Sequence, residues 1–526
     1  MKRFISFVLI LILALAAVGC KKPVSEVNAS EAPATEPAET EEPVITEAPA
    51  ETPEVTEEPI ETPEATDEPH ETPAPTAMPE RPEEDPDIPK VIAGKDVFFI
   101  VEPDGSLYAW GNNSFGQLGV GDTESRGEPV LMANGLVPVI VGETVFALSE
   151  DGILWGWGRN DCAQLGAGDL ENRTRPAELM HFVKSAVKGR ESFYALTENG
   201  DVFKWGMDPD LKKYYDIDLS TIWEPELLFN NVAWFDGYYA IKSNGELWQK
   251  WGDDWRLIAN GVCRIWHDRN TIAMEGTDGR LYTLGNRDGL IYEPDEGRRL
   301  VAESFRSVTV SDGTIWVLAD DGSLLYYKAA YSNITGSAGG FDELTFVMNE
   351  VVEFAADTYT DENWDYDYKF ALKANGDLWA WGEYSEPALG KPQMSEPSAP
   401  ECVAHGVRSF VSTGAQTYLI ADDGSVWASG RAGEGFVFGG LGDGTESSEY
   451  GFVYLGIEGF CTVTSIMDNF IYEDEVGDTG IRIYCRTFAV DAEGNIFAWG
   501  WNGDGLLGVG SEDEVVLFPV QIEIAK

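Results

Sequence analysis

Two stretches of this chain, GSLYAWGNNSFGQLGVGD from Gly105 to Asp122 and GILWGWGRNDCAQLGAGD from Gly152 to Asp169, are nearly the same text 47 residues apart. Extended to Pro129 and Pro176, they align over 25 positions without a gap and share 13 identities. A period of roughly 20–50 residues restricts a chain to arrays of one supersecondary unit, because a unit that small cannot bury its own apolar face.

The unit can be read from its central turn. FFIVEPDGSLYAWG, FALSEDGILWGWG, YALTENGDVFKWG and FALKANGDLWAWG each place Asp-Gly or Asn-Gly between two short apolar runs. That pattern is the strongest local signal for a β-hairpin, whose tightest form needs positive φ at both central residues. Nine turns of this kind occur, at Gly105, Gly152, Gly200, Gly245, Gly279, Gly322, Gly376, Gly424 and Gly494, the last with Glu-Gly in place of Asp-Gly or Asn-Gly. Helical periodicity is absent between them, so the fold class is all-β. About 48 residues per unit suffice for one four-stranded antiparallel blade, and the array predicts a β-propeller of seven to nine blades. Trp110, Trp157, Trp205, Trp381 and Trp499 recur at one place in the unit, which predicts core wedges between blades rather than ligand-stacking rings.

The segments AWGNNSFGQLGVGD, GWGRNDCAQLGAGD and AWGWNGDGLLGVG resemble the repeats of the regulator of chromosome condensation family. The resemblance covers residues 91–526 and implies a β-propeller, in that family most often of seven blades. It fades in the middle units, which keep the hairpin and lose Gln-Leu-Gly. The final VVLFPVQIEIA is expected to pair beside the first hairpin and close the ring.

Before the repeats, MKRFISFVLILILALAAVGC has a basic start at Lys2 and Arg3, then 16 apolar or small residues from Phe4 to Gly19. This is an export signal, too short for a comfortable membrane span. AAVGC resembles the lipobox of bacterial lipoproteins, which makes residues 1–19 the signal and Cys20 the lipidated first residue; an ordinary cleaved signal is the alternative. The expected location is the outer face of the bacterial cytoplasmic membrane, held by a lipid anchor alone and displayed at the cell surface. Residues 20–90 read as a disordered linker, since residues 21–90 hold 15 of the 27 prolines and 21 of the 91 acidic side chains. With so few apolar side chains it cannot offset the entropy of ordering.

The rest, 70 acids against 30 bases, still carries about −40, and such a field repels phosphate backbones. Nucleic acid is excluded as a partner; an extracellular protein or an envelope or wall component, basic in character, is expected, with calcium as a further candidate and a monomer as the solution state. No G-x-S-x-G elbow, phosphate loop or Cys-x-x-Cys occurs. His70, His181, His267 and His405 are isolated in sequence, so no metal site and no cofactor are expected. Five cysteines in the repeats, Cys162, Cys263, Cys402, Cys461 and Cys485, give no disulfide framework, with Cys461–Cys485 as the one candidate pair. The function that follows is non-catalytic binding; the alternative is a secreted propeller enzyme cleaving a glycan with paired carboxylates.

The working surface is expected where the repeat is interrupted. The joint before the second strand is short in most units, but it expands to DTYTDENWDYDY in the seventh and MDNFIYEDEVGDTGIRIY in the ninth. Both insertions belong to the end of a blade opposite the glycine turns, so they should share one face about one blade apart. Trp364, Tyr366 and Tyr472 are the anchor candidates, with Asp365, Asp367, Glu473 and Asp474 supplying charge. If Cys20 is the anchor, Cys20→Ser should move the protein from membranes into the medium with its repeats still folded; membrane retention of this variant contradicts the lipoprotein reading.

Overall fold

The computed structural model describes residues 88–524, except 210–222, 253, 269–270, 285–293, 296, 329–343, 361–364, 383–388, 391–398, 414, 434–436 and 474–478; for 357–360, 365–367, 437–438, 450, 468–473 and 479–482 it describes the backbone alone. The signal, Cys20 and the linker as far as residue 87 therefore lie outside the described residues, and the last linker residue, Lys90, already belongs to the first strand.

Every sequence-derived hairpin becomes the middle pair of strands in its own blade, and the result is a nine-bladed β-propeller of four-stranded antiparallel sheets. Blade one comprises Lys90–Ala93, Val97–Val101, Ser106–Gly111 and Arg126–Asn134. Blade nine comprises Phe460–Glu473, Thr479–Asp491, Ile496–Trp501 and Val515–Gln521, with a fifth short strand, Val437–Phe438, added on. First strands of successive blades touch, as Ser307–Ser311 does Val351–Thr360, so they are the innermost strands of the ring. The family's usual seven is exceeded because no hairpin is spent as an insertion.

The turns differ from the tightest hairpin form. Glycine alone takes positive φ, between 76° and 88° at all nine sites. Gly105 N–H donates to the Glu102 carbonyl, and Glu102 N–H donates to the Ser106 carbonyl, both at 2.9 Å. This is a longer connection with a glycine bulge, in which only the glycine must be left-handed. The preceding Asp has its own task, since Asp104 Oδ1 accepts the Ser106 N–H at 2.8 Å. Asn244, Asp278, Asp321, Asn375 and Asp423 each accept the same N–H two residues on.

Blades nine, one, two and three are joined by one repeated contact. Trp157 Nε1 donates to the Gln117 carbonyl of the previous blade at 2.8 Å, and Trp205 Nε1 to the Gln164 carbonyl at 2.7 Å. Trp110 of blade one donates to the Leu506 carbonyl of blade nine at 3.0 Å, which makes the ring closure chemically equal to an internal joint. The Gln-Leu-Gly motif follows from this clasp. The first residue offers its carbonyl, Leu118, Leu165 and Leu507 are buried, and the glycine lies under the indole ring. A Cβ on Gly166 would stand 2.7 Å from Trp205, and one on Gly508 2.7 Å from Trp110. Trp110, Trp157, Trp205, Trp381 and Trp499 are all buried, as the repeat predicts for core wedges.

Closure does not use the last strand as expected. Val515–Gln521 pairs with Ile496–Trp501 of its own blade, because Lys90–Ala93 already occupies the edge beside the first hairpin. Side chains close the ring instead: Phe98 meets Phe488 at 5.6 Å between ring centres, and the fully buried Arg486 donates to the Lys95 carbonyl at 3.2 Å. The five described cysteines form no disulfide. Cys485 faces Met467, and Cys461 stands six residues further along that strand, about 20 Å away at ~3.4 Å per residue, so the candidate disulfide does not form. Deleting residues 515–526 removes Val516 and Ile522 from the closure cluster, at a cost of about 3–6 kcal/mol for their burial alone, before the bare edge is counted. Thermal unfolding of the truncated chain should start far below that of the intact one; equal midpoints would show that blade nine is dispensable.

Candidate binding face

A four-stranded antiparallel blade has two ends. One carries the glycine turns and the connections to the next blade; the other carries the joints between first and second strands and the loops between third and fourth. The two insertions fall at the second end, here called the loop face. They are not irregular loops. In blade seven, Val351–Thr360 pairs with Asp365–Lys373 out to Thr360 opposite Asp365, whereas the third strand stops at Gly382, opposite Tyr368. In blade nine, Phe460–Glu473 pairs with Thr479–Asp491 out to Glu473 opposite Thr479, and the third strand ends its pairing at Gly500, opposite Arg486. The overhang is three residues in the first ribbon and seven in the second, about 10 Å and 24 Å at ~3.4 Å per residue.

Asp365, Tyr366 and Asp367 thus lie on the strand past the edge of blade seven, opposite Thr360, Tyr359 and Thr358. Tyr472 and Glu473 lie at the end of the blade-nine ribbon, opposite Gly480 and Thr479. Trp364 and Asp474 lie outside the described residues. The bases of the two ribbons are brought together: Tyr368 and Phe370 of blade seven share one buried cluster with Ile483 and Cys485 of blade nine, and Met467 packs against it. Blade eight stands between, and its third-to-fourth loop sends Val437–Phe438 up to pair in parallel with Ile483 and Tyr484. The ribbons therefore share the loop face, one blade apart, as the position of the insertions in the repeat requires.

The remainder of that face is held by repeated polar contacts. Asn113, buried, accepts the Leu118 N–H on Oδ1 at 2.9 Å and donates from Nδ2 to the Asp122 and Glu124 carbonyls. Asn160 and Asn502 do the same for Leu165 and Leu507. Arg126 pairs with Asp122 at 2.8 Å and Arg173 with Asp169 at 2.6 Å, and these hydrogen bonds hold both carboxyls below the usual range. Between blades one and nine the same loops border an open groove of about 570 Å³, lined by Arg126, Glu128, Asp504, Glu512 and Glu514 among others. Sequence reasoning missed this groove, although GDTESRGEP and GSEDEVV already place acids in two loops that ring closure makes neighbours.

Short joints on this face are tied across blades. His267 Nε2 meets Asp236 Oδ2 at 2.7 Å, linking blades five and four, and its ring lies 4.5 Å from that of Tyr239. Asp268 Oδ2 accepts the Gly313 N–H of blade six at 2.8 Å. Burial pulls the imidazole pKa down, but the hydrogen bond to Asp236 and its charge push harder, and the net shift is upward.

The same repeats that build the clasp match a known family. Residues 104–141, 151–189 and 493–526 match the Regulator of chromosome condensation (RCC1) repeat. The propeller contains RCC1 repeats. The matched RCC1 repeats carry the Gln-Leu-Gly or Leu-Leu-Gly loops of blades one, two and nine; the intervening blades keep the hairpin and vary the loop. No curated protein matches the sequence. Among solved structures, yeast RCC1 (Prp20) with Kap60 bound is similar at 15% identity over 89% of this chain and 91% of that one, with a TM-score of 0.37. Human WBSCR16 is similar at 16% identity over 80% and 94%, also with a TM-score of 0.37.

A histidine pKa raised by folding contributes stability that is complete below the unfolded value of about 6.5 and is lost as pH rises through the folded value. The stability difference between the native chain and His267→Gln, measured by denaturant unfolding, should accordingly be largest in mildly acidic buffer and shrink above neutrality. A difference that grows with pH would contradict the Asp236–His267 pairing.

Proposed function

We propose that this RCC1-repeat propeller is a non-catalytic scaffold that binds an extracellular protein or envelope component on its loop face, with the ribbons of blades seven and nine as its arms. The observation that carries this reading is their overhang: two hairpins continue past the body of the ring on one face, where no neighbouring third strand is available to pair with them. An unpaired ribbon edge can take up an extended segment, and Val437–Phe438 already uses one edge of the blade-nine ribbon in that way. The acidic groove between blades one and nine favours a basic partner. We place the chain outside the cell, anchored through a lipid on Cys20, with the proline-rich linker lifting the ring. At ~3.1 Å per residue in the polyproline limit that linker could reach roughly 200 Å.

The test is retention of envelope and host-surface proteins on the purified, immobilised protein. Trp364→Ala and Tyr472→Ala should each weaken capture at least ten-fold, whereas Phe182→Ala, an exposed residue beside the glycine turns, should leave it unchanged. Capture lost only with Phe182→Ala would place the working surface on the opposite face.

A further inference from the structure

The turn face of blade seven holds a cluster that sequence spacing did not show. Asp377, Cys402 and His405 bring one donor atom each within 4.8 Å of one another, the three-donor group found among the described residues. Asp377 follows the Gly376 turn, and Cys402 lies on the fourth strand, Glu401–Ala404. The pairing of Leu378 with Ala404 and of Trp379 with Cys402 skips Val403, a bulge that re-aims the end of the strand. This brings His405 over the turn, 28 residues along the chain from Asp377, with Nδ1 2.5 Å from Asp377 Oδ1. The other oxygen, Oδ2, is held by the Asn375 amide at 2.8 Å, which fixes the orientation of the carboxylate. Cys402 Sγ stands 3.7 Å from the same Nδ1 and 4.0 Å from Nε2.

Two chemistries use these residue types. In a nucleophilic triad the acid orients one imidazole nitrogen while the thiol delivers its proton to the other. Here the thiol is no nearer to Nε2, the nitrogen opposite the acid, than to Nδ1, and His405 is largely exposed. An acid and a thiol both beside Nδ1 are instead what an ion needs when it replaces the proton there. Tetrahedral ligation at ordinary zinc distances separates sulfur from nitrogen by about 3.6 Å and nitrogen from oxygen by about 3.3 Å. The sulfur already stands at that distance, and the Asp–His contact needs to open by somewhat under about 1 Å, which an exposed imidazole can supply.

Blade two gives an internal comparison. Glu178 and His181 occupy the positions of Cys402 and His405 in their blade and meet at 2.7 Å, but Ile153 stands where blade seven has Asp377. The repeat thus presents a fourth-strand residue and a histidine together, and blade seven adds the third donor.

We propose that Asp377, Cys402 and His405 form a three-ligand site for a zinc-class divalent ion, with the remaining position open to water or an incoming ligand. A thiolate, an imidazole and one carboxylate suit zinc, cobalt or nickel, and not calcium or magnesium, which take oxygen donors. On binding, Cys402 releases its thiol proton to solvent and the thiolate pair is donated to the metal; His405 donates the Nδ1 lone pair and keeps its proton on Nε2; the Asp377 carboxylate completes the set. No electron changes hands. The site does not depend on the ribbons or on the binding role proposed above.

The test is titration of the full chain, reduced and metal-free, with cobalt(II) alone, followed by the near-ultraviolet thiolate-to-cobalt charge-transfer band. One ion per chain should give the band; zinc should displace it, and affinity should fall as the pH is lowered, because bound ligands must lose protons. Cys402→Ser should abolish the band, Asp377→Asn and His405→Ala should weaken binding at least ten-fold, and Cys263→Ser, which removes an exposed thiol elsewhere, should change nothing. Unchanged circular dichroism of the metal-free variants separates ligand loss from misfolding. No band in the native chain, or a band that survives Cys402→Ser, overturns the proposal.

Discussion

The indole N–H of a tryptophan reaching the carbonyl of the previous blade's loop joins blades nine, one, two and three, and the closure of the ring depends on it. Each such bond is buried, so losing one leaves a desolvated carbonyl without a partner, a cost of about 1–3 kcal/mol beyond the lost ring contacts. It also sets the geometry. Because the acceptor lies in a loop held by its own buried asparagine, the tryptophan fixes both the angle between blades and the position of the loop face. Blade nine varies the theme, with Trp499 Nε1 3.4 Å from the Tyr418 hydroxyl and Gly442 beneath its ring.

A ring held by nearest-neighbour clasps tolerates change where the clasp is not touched. The joint between first and second strands lies outside the clasp, and there blades seven and nine lengthen into ribbons without disturbing the cores on either side. The glycine-turn face tolerates change for the same reason, and the Asp377–Cys402–His405 cluster lies there. Both candidate functions thus occupy positions that the packing leaves unconstrained, the usual way a repeat scaffold acquires activity.

Much of this was legible in the sequence because the repeat fixed register. Nine glycine turns bounded the count at seven to nine blades, repetition of Trp-Gly identified the wedges, and insertion at one phase of the repeat placed both ribbons on one face. What was not legible depended on pairing. Lys90–Ala93 has too little pattern to reveal a first strand, so the C-terminal strand was assigned to that edge. Alternation in FCTVTSIMDNFIYE is broken enough to read as a loop, yet the hairpin opposite supplies a full ladder. His405 looked isolated because its partner Asp377 is 28 residues away and reaches it only through the bulge at Val403. The anchor candidate Trp364 and the charge candidate Asp474 rest on sequence alone.

The central claim is that blade nine meets blade one through the same clasp that joins internal blades. Equilibrium unfolding of Trp110→Phe and Trp157→Phe, side by side, tests it most directly: each keeps an aromatic ring and removes the donor, one at the closure and one inside the array. Both should lose a similar amount, about 1–3 kcal/mol, in a single cooperative transition. If Trp157→Phe is destabilised while Trp110→Phe unfolds like the native chain, blades nine and one are not clasped and the ring is open.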